Sequence, residues 1–136
     1  MAAGYSGTPL AEKLGIKDGH VVATIDEPDD FRELVDGLPA GVAFRTGLEG
    51  SADIVMLFAT ERASIEHQLP DAAQAIFPNG AIWVAWPKKA AKIPTDITED
   101  VVRDVALPMR LVDNKVCAIS DIWSGLRLVW RKGHRR

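Results

Sequence analysis

Asp53-Ile54-Val55-Met56-Leu57-Phe58, followed after a helical interval by Ala81-Ile82-Trp83-Val84-Ala85-Trp86, decides the fold class. Each run is apolar without alternation, the pattern of a strand buried on both faces, as in a parallel sheet with helices above and below it. Between the runs Ile65 and Leu69 stand four apart, and Ala72, Ala73 and Ile76 continue the same apolar face, so a covering helix is expected with Thr60 as its cap. Pro70 lies inside that pattern and is expected to break or kink the helix. Pro78-Asn79-Gly80 turns the chain into the second run, and Pro87 stops it.

Working outward toward the start, His20-Val21-Val22-Ala23-Thr24-Ile25 is a further strand, bounded by Asp18-Gly19 and by Asp26-Glu27-Pro28. Before it, Thr8 to Gly15 reads as a short helix. Thr8 is placed to cap it, Pro9 suits its first position, Leu10 and Leu14 share a face, and Gly15 permits a left-handed exit from which Ile16 packs back. After it, Phe31, Leu34, Val35 and Leu38 recur at helical spacing, and Glu27, Asp29 and Asp30 favour a helix N-terminus there. Val42-Ala43-Phe44-Arg45 is a short strand. The link from Thr46 to Asp53 is short for a parallel crossover, so an antiparallel hairpin competes with an extended link of ~3.4 Å per residue that crosses the sheet.

Toward the end, Thr98 caps a helix carrying Glu99 and Asp100 in its first turn and Val101, Val102 and Val105 on its buried side. Lys115 to Ile119 and Leu126 to Trp130 flank the turn Ser120 to Gly125 and are expected to pair antiparallel. The length of 136 residues, 47% hydrophobic and 26% charged, fits one globular domain over residues 1–130 with a basic tail over 131–136. A net charge of -3 argues against specific nucleic-acid binding, which needs a basic surface. Cys117 is the single cysteine and lies in an apolar run, so it reads as packing, without a disulfide or zinc partner. His20, His67 and His134 show no ligand spacing, and no metal site is expected. No stretch approaches the ~20 apolar residues of a membrane span, and Met1 to Tyr5 lacks signal-peptide features, so a cytoplasmic location without membrane attachment is expected.

The order of strand–helix pairs closing with a hairpin resembles a class I S-adenosylmethionine-dependent methyltransferase sheet, in which Asp53 to Met56 and Phe77 to Val84 look like the fourth and fifth strands. The implied fold is α/β: a three-layer, Rossmann-like, mostly parallel sheet with a C-terminal antiparallel hairpin. More closely, Tyr5-Ser6-Gly7-Thr8-Pro9-Leu10, Trp86-Pro87-Lys88-Lys89, Thr95 to Arg103 and Trp123-Ser124-Gly125-Leu126-Arg127 resemble an uncharacterised bacterial family, domain of unknown function 3052. That resemblance spans the chain and carries no activity with it. A working methyltransferase follows strand one with a glycine-rich turn, whereas here Asp26-Glu27-Pro28-Asp29-Asp30 follows. It also ends strand two on an acid for the ribose hydroxyls, where this chain has Arg45-Thr46-Gly47, and a whole strand–helix unit is missing. No cofactor is assigned.

In open α/β sheets ligands bind beyond the carboxyl ends of the strands, where the strand order reverses. That rule selects Asp26, Glu27, Thr60, Trp86, Lys88 and Lys89 as one rim, joined by Asp96. Lys88, Lys89 and Lys92 in a Pro-bounded loop suit a small anion such as a carboxylate or phosphate, against the blander use of keeping a loop wet. Asp26 and Asp96 suit an acid–base pair, but helix capping explains both equally well. Trp83, Trp86, Trp123 and Trp130 are expected to pack in the core or at a subunit interface rather than form a stacking platform. The leading expectation is a non-catalytic binding or regulatory module for a small molecule or anion. Its rivals are a divergent transferase with a nucleotide-type cofactor, and a structural domain whose Trp123 to Leu126 turn joins copies into a homo-oligomer.

Overall fold

A computed structural model describes residues 8–132; Met1 to Tyr5 and the end of the basic tail, on which the sequence raised expectations, lie outside them. In chain order the elements are α1 (Leu10–Leu14), β1 (Val21–Ile25), α2 (Phe31–Leu34), β2 (Ala43–Thr46), β3 (Ile54–Phe58), α3 (Arg62–Ile76), β4 (Ala81–Pro87), α4 (Glu99–Ala106), β5 (Leu111–Ala118) and β6 (Trp123–Trp130). Short 3-10 turns at Lys89–Ala91 and Leu107–Met109 join them. The strands form one sheet in the order β2-β1-β3-β4-β6-β5. Four strands run parallel, while β6 pairs antiparallel with both β4 and β5.

The open question about the short strand is resolved in favour of the parallel arrangement. β2 pairs with β1 in the register Val21↔Ala43, and β3 pairs with β1 on its other side in the register Val22↔Ile54. The link over residues 47–53 therefore crosses the face of β1, doing without the helix that usually makes this return. Its ends are bonded to β1, Gly47 N–H to the Thr24 carbonyl at 2.9 Å and Asp53 N–H to the Val21 carbonyl at 3.0 Å. Leu48 packs on the sheet, and the Arg45 guanidinium holds the carbonyls of Ser51 at 2.9 Å and Gly50 at 3.3 Å. A strand as fully apolar as β3, whose five residues are all buried, needs cover on both faces. On one face α3 and α4 pack over Val55, Leu57, Ile82, Val84 and Trp86. On the other, Leu10 and Leu14 of α1 and Phe31 of α2 meet Met56, Phe58 and Trp83.

Several local expectations need correction. The helix after Pro28 is a single turn, because Val35 is already extended and Gly37 takes φ 73. Leu38, expected on its apolar face, is 42% exposed. The competing pull comes from α1: Asp36 accepts from Leu10 N–H through its carboxylate at 2.7 Å and from Ala11 N–H through its carbonyl at 3.1 Å. Asp36 thereby supplies the first-turn acceptor expected of Thr8. Pro70 does not interrupt α3, which runs unbroken from Arg62 to Ile76. Its ring faces solvent, where the one freed carbonyl can be hydrated, while the buried Leu69, Ala72 and Ala73 hold the helix on the sheet. Glu61, not Thr60, is the N-cap residue of α3. The Thr98 cap is as read, its hydroxyl accepting from Val101 N–H at 3.2 Å.

Trp83 is fully buried, and its indole N–H donates to the Leu14 carbonyl at 3.0 Å, pinning α1 to the sheet. Trp130 likewise donates to the Ala73 carbonyl of α3 at 2.9 Å. Among the described residues no helix is long and apolar enough to cross a membrane. Gly125 on β6 allows Trp83 and Ile119 to close over it: a Cβ there would lie 2.6 Å from Ile119 Cδ1 and 3.0 Å from Trp83 Cε3. Gly125→Ala is thus expected to lower unfolding stability by about 1 to 3 kcal/mol through overpacking. Urea denaturation checks this, and an unchanged midpoint would show that the strand does not need the close approach.

Candidate functional site

The C-terminal ends of the parallel strands carry the candidate residues, and the structure divides them into two networks. Beyond β1, Asp26 adopts φ 56, a left-handed conformation unusual without glycine. It reverses the chain so that the Glu27 carboxylate folds back onto the strand. There it accepts a hydrogen bond from the hydroxyl of Thr24, a residue with no solvent exposure, at 2.5 Å. The Arg32 guanidinium grips the same carboxylate, Nη2 at 2.9 Å from Oε1 and Nε at 3.0 Å from Oε2, and donates onward to the Thr46 hydroxyl at 3.3 Å. It also lies 5.1 Å over the Phe44 ring, so one cation ties α2 to the ends of β1 and β2. Burial works to raise the pKa of Glu27, but the hydrogen bonds from Arg32 and Thr24 and the Arg32 charge outweigh it, leaving the pKa below the ordinary 4.5.

The second network lies beyond β3. The Thr95 hydroxyl donates to the Thr60 carbonyl at 2.6 Å, and the Asp96 carboxylate accepts from Arg62 N–H at 2.7 Å. Asp96 thus caps α3, the helix before it in the chain, and not α4, the helix it precedes. Asp26 shapes the turn after β1 through its backbone, while Asp96 caps α3 through its side chain. Trp86 is 7% exposed and belongs to the core with Ile97 and Val102. Lys88 is half-buried and donates its backbone N–H to the Ile122 carbonyl at 2.8 Å, fastening the loop to the β5–β6 turn. Lys89 and Lys92 are exposed, with Lys92 in a left-handed conformation at φ 57.

The partners Thr24, Arg32 and Thr46 escaped the sequence reading, although a threonine inside the apolar run of β1 is a legible signal. A cavity of about 570 Å³ opens beside the end of β1, between the link after β2 and α3. Ile25, Leu48 and Ala75 supply its apolar wall, and its charged residues, Glu49 and Asp71, are both acids. Its field does not favour an anion. Cys117 is half-buried; burial pushes its thiol pKa up against the opposing pull of Lys115 and Lys13, which suits packing and not nucleophilic attack.

The chain resembles several solved structures in its fold. The ribosomal protein L11 methylase from Lactobacillus delbrueckii subsp. bulgaricus aligns over 90% of this chain and 75% of its own, at 10% identity and a TM-score of 0.55. A putative methyltransferase from Thermoplasma acidophilum aligns over 87% and 71%, at 7% identity and 0.57. An S-adenosylmethionine-dependent methyltransferase from Aquifex aeolicus aligns over 88% and 86%, at 10% identity and 0.52. At such identities the likeness establishes a methyltransferase-like fold alone. The residues present do not fit the cofactor that the fold implies: the turn after β1 is closed by the Glu27 side chain where a bare backbone is needed, and β2 ends without an acid. No curated protein matches the sequence. What the whole chain shares is a sequence pattern rather than a described activity: residues 11–132 match the model of the family described as protein of unknown function (DUF3052), and the chain belongs to that family.

Proposed function

We propose that this chain is a non-catalytic binding domain, a methyltransferase-like sheet whose cofactor turn has been converted into a structural joint. The observation that carries this reading is the Glu27 carboxylate. It occupies the turn after β1 and is held there from three directions by Thr24, Arg32 and the backbone reversal at Asp26. In the glycine-rich version of this turn the backbone itself approaches the ligand, and a carboxylate folded into it both fills the space and repels phosphate or carboxylate groups. Asp96 and the Thr95 hydroxyl likewise serve as a cap and a brace, which engages them outside the paired acid–base arrangement that proton transfer requires. A small anion is the ligand class we assign. The rim does not build its site, since Lys88, Lys89 and Lys92 stand there in an open loop where water screens their attraction.

The second reading, a divergent transferase, is favoured by the strand order, in which β1 leads outward to β2 on one side and β3 leads to β4 on the other, the switch point at which open α/β sheets bind ligands. Ligand-dependent stability separates the two. With about 1 mM S-adenosylmethionine, a dissociation constant of about 10 µM would add about 2.7 kcal/mol to the native state and raise the melting temperature by several degrees. The expected result is no shift, and such a rise would establish the transferase reading instead.

The Glu27 joint itself has a pH signature. Its folded pKa lies below the unfolded value near 4.5, so the joint stabilises fully above that value and loses its contribution as pH falls through the folded pKa. Glu27→Gln is therefore expected to be less stable than the parent by about 1 kcal/mol at neutral pH, with the gap closing in acid. Urea unfolding of both proteins from neutral pH to pH 3 reads the difference, and a constant gap would mean that the carboxylate charge plays no part.

A further inference from the structure

We infer that the cavity at the opposite, N-terminal end of the parallel strands, lined by Arg127, Asn79 and Asn114, binds a small oxyanion of the phosphate or carboxylate class. This deepens the binding-domain reading above by giving it a site and a ligand chemistry, and it rests on that reading. The cavity measures about 200 Å³ and is completed by Pro78, Gly80 and Val129. That is below the roughly 300 Å³ at which pockets for drug-sized ligands begin, and several times the ~30 Å³ share of one water, so it suits an ion and not a nucleotide.

Arg127 projects from β6 beside the C-terminus of α1, its Nη2 3.7 Å from where a Cβ on Gly15 would stand. The bland explanation would make it a helix cap, but the acceptors there are taken. The Ala11 carbonyl receives Ile16 N–H at 3.0 Å and the Glu12 carbonyl receives Gly15 N–H at 3.1 Å. The Lys13 carbonyl receives the Lys115 ammonium at 2.9 Å and the Leu14 carbonyl receives the Trp83 indole at 3.0 Å. Each carbonyl of this last turn already has a donor, and none of the five N–H donors of the guanidinium forms a hydrogen bond with an acceptor among the described residues. Burial lowers the pKa of Arg127, and no carboxylate among those residues offsets it.

The neighbouring strand sharpens the imbalance. Lys115 of β5 stands directly opposite Arg127 of β6, a like-charge pair that destabilises a sheet unless something negative lies nearby. The strand register shifts between Asp113 and Lys115, which makes Asn114 the residue of a β-bulge, and Asn114 lines the cavity. Bulges re-aim side chains, and this one supplies an amide next to the guanidinium. An oxyanion would accept from the planar fork of Arg127 and from the Asn79 and Asn114 amides while neutralising the Lys115–Arg127 repulsion.

The test is titration of the uniformly 15N-labelled chain with inorganic phosphate and, separately, with sodium acetate, against sodium chloride at equal ionic strength. The expected result is saturable shifts of the Arg127 Nε–H and the Asn79 and Asn114 side-chain amides with at least one oxyanion. Saturation by phosphate alone identifies a phosphate site, and saturation by acetate alone a carboxylate site. Arg127→Gln is expected to weaken binding at least about tenfold, and Asn114→Ala, a change at an exposed bulge that keeps the variant foldable, by about fivefold. Lys88→Ala/Lys89→Ala is expected to bind as the parent does. Linear shifts indistinguishable from those in chloride, full affinity in Arg127→Gln, or loss in the lysine double variant would overturn the site. Binding of S-adenosylmethionine would instead overturn the binding-domain reading, so the two failures are separable.

Discussion

Burial of the central strands on both faces is the constraint from which the rest of this structure follows. All seven residues of β4 and all five of β3 are buried, so neither sheet face can be left to water. The two helices α3 and α4 cover one face, while α1 and the single turn of α2 must cover the other. Such short elements have little stability of their own, since helices of fewer than ~12 residues are marginal without tertiary contacts. The structure compensates with fixed points: the Trp83 indole on the Leu14 carbonyl, the Asp36 carboxylate on Leu10 N–H, and the edge-on packing of Phe31 against Phe58 at 5.1 Å.

The same constraint governs the helix-free connection between β2 and β3. The face of β1 toward α3 needs cover, and the link over residues 47–53 provides it by lying across the strand. Arg45 does for this link what helical hydrogen bonds do for a crossover helix, binding two of its carbonyls, and Ala52 N–H bonds the Ala75 carbonyl of α3 at 2.9 Å. The cover is partial. The cavity beside Ile25 is the gap left between the link and α3.

Strands were legible because their signal is local: an unbroken apolar run means burial on both faces wherever it lies, and His20 to Ile25, Asp53 to Phe58 and Ala81 to Trp86 all became strands within a residue or so. Helix ends were less legible because their partners lie far away in sequence. Phe31 to Leu38 has helical spacing, yet Asp36 bonds to α1 instead of continuing the turn. Asp96 was read against the helix that follows it, but its partner Arg62 lies 34 residues back. The candidate site suffered in the same way. Asp26 and Glu27 could be named from the strand-end rule, whereas the role of Glu27 depends on Arg32 and Thr46, which only the folded sheet brings alongside. Arg127 and Asn114 were invisible as a pair because a bulge, which has no fixed sequence signal, places them together.

The charge distribution then shows where binding chemistry is available. Several carboxylates of this chain are committed to local tasks: Asp36 and Asp96 cap helices, Asp53 accepts from Val21 N–H at 2.8 Å, and Glu27 is locked to Arg32. Cations follow suit, with Arg103 shared among Glu99, Asp100 and Asp113 and Arg62 paired with Glu66. In a chain of net charge -3, acids are in surplus and a half-buried cation should be easy to neutralise internally. Arg127 is not neutralised, and it faces another cation across the strand pair. A guanidinium held partly out of water without a counter-charge among the described residues is unfavourable in isolation, and the proposed anion would supply that neutralisation. The acids committed beyond the C-terminal strand ends and the unpaired guanidinium at the opposite end both support the proposed anion site at the N-terminal ends of the strands.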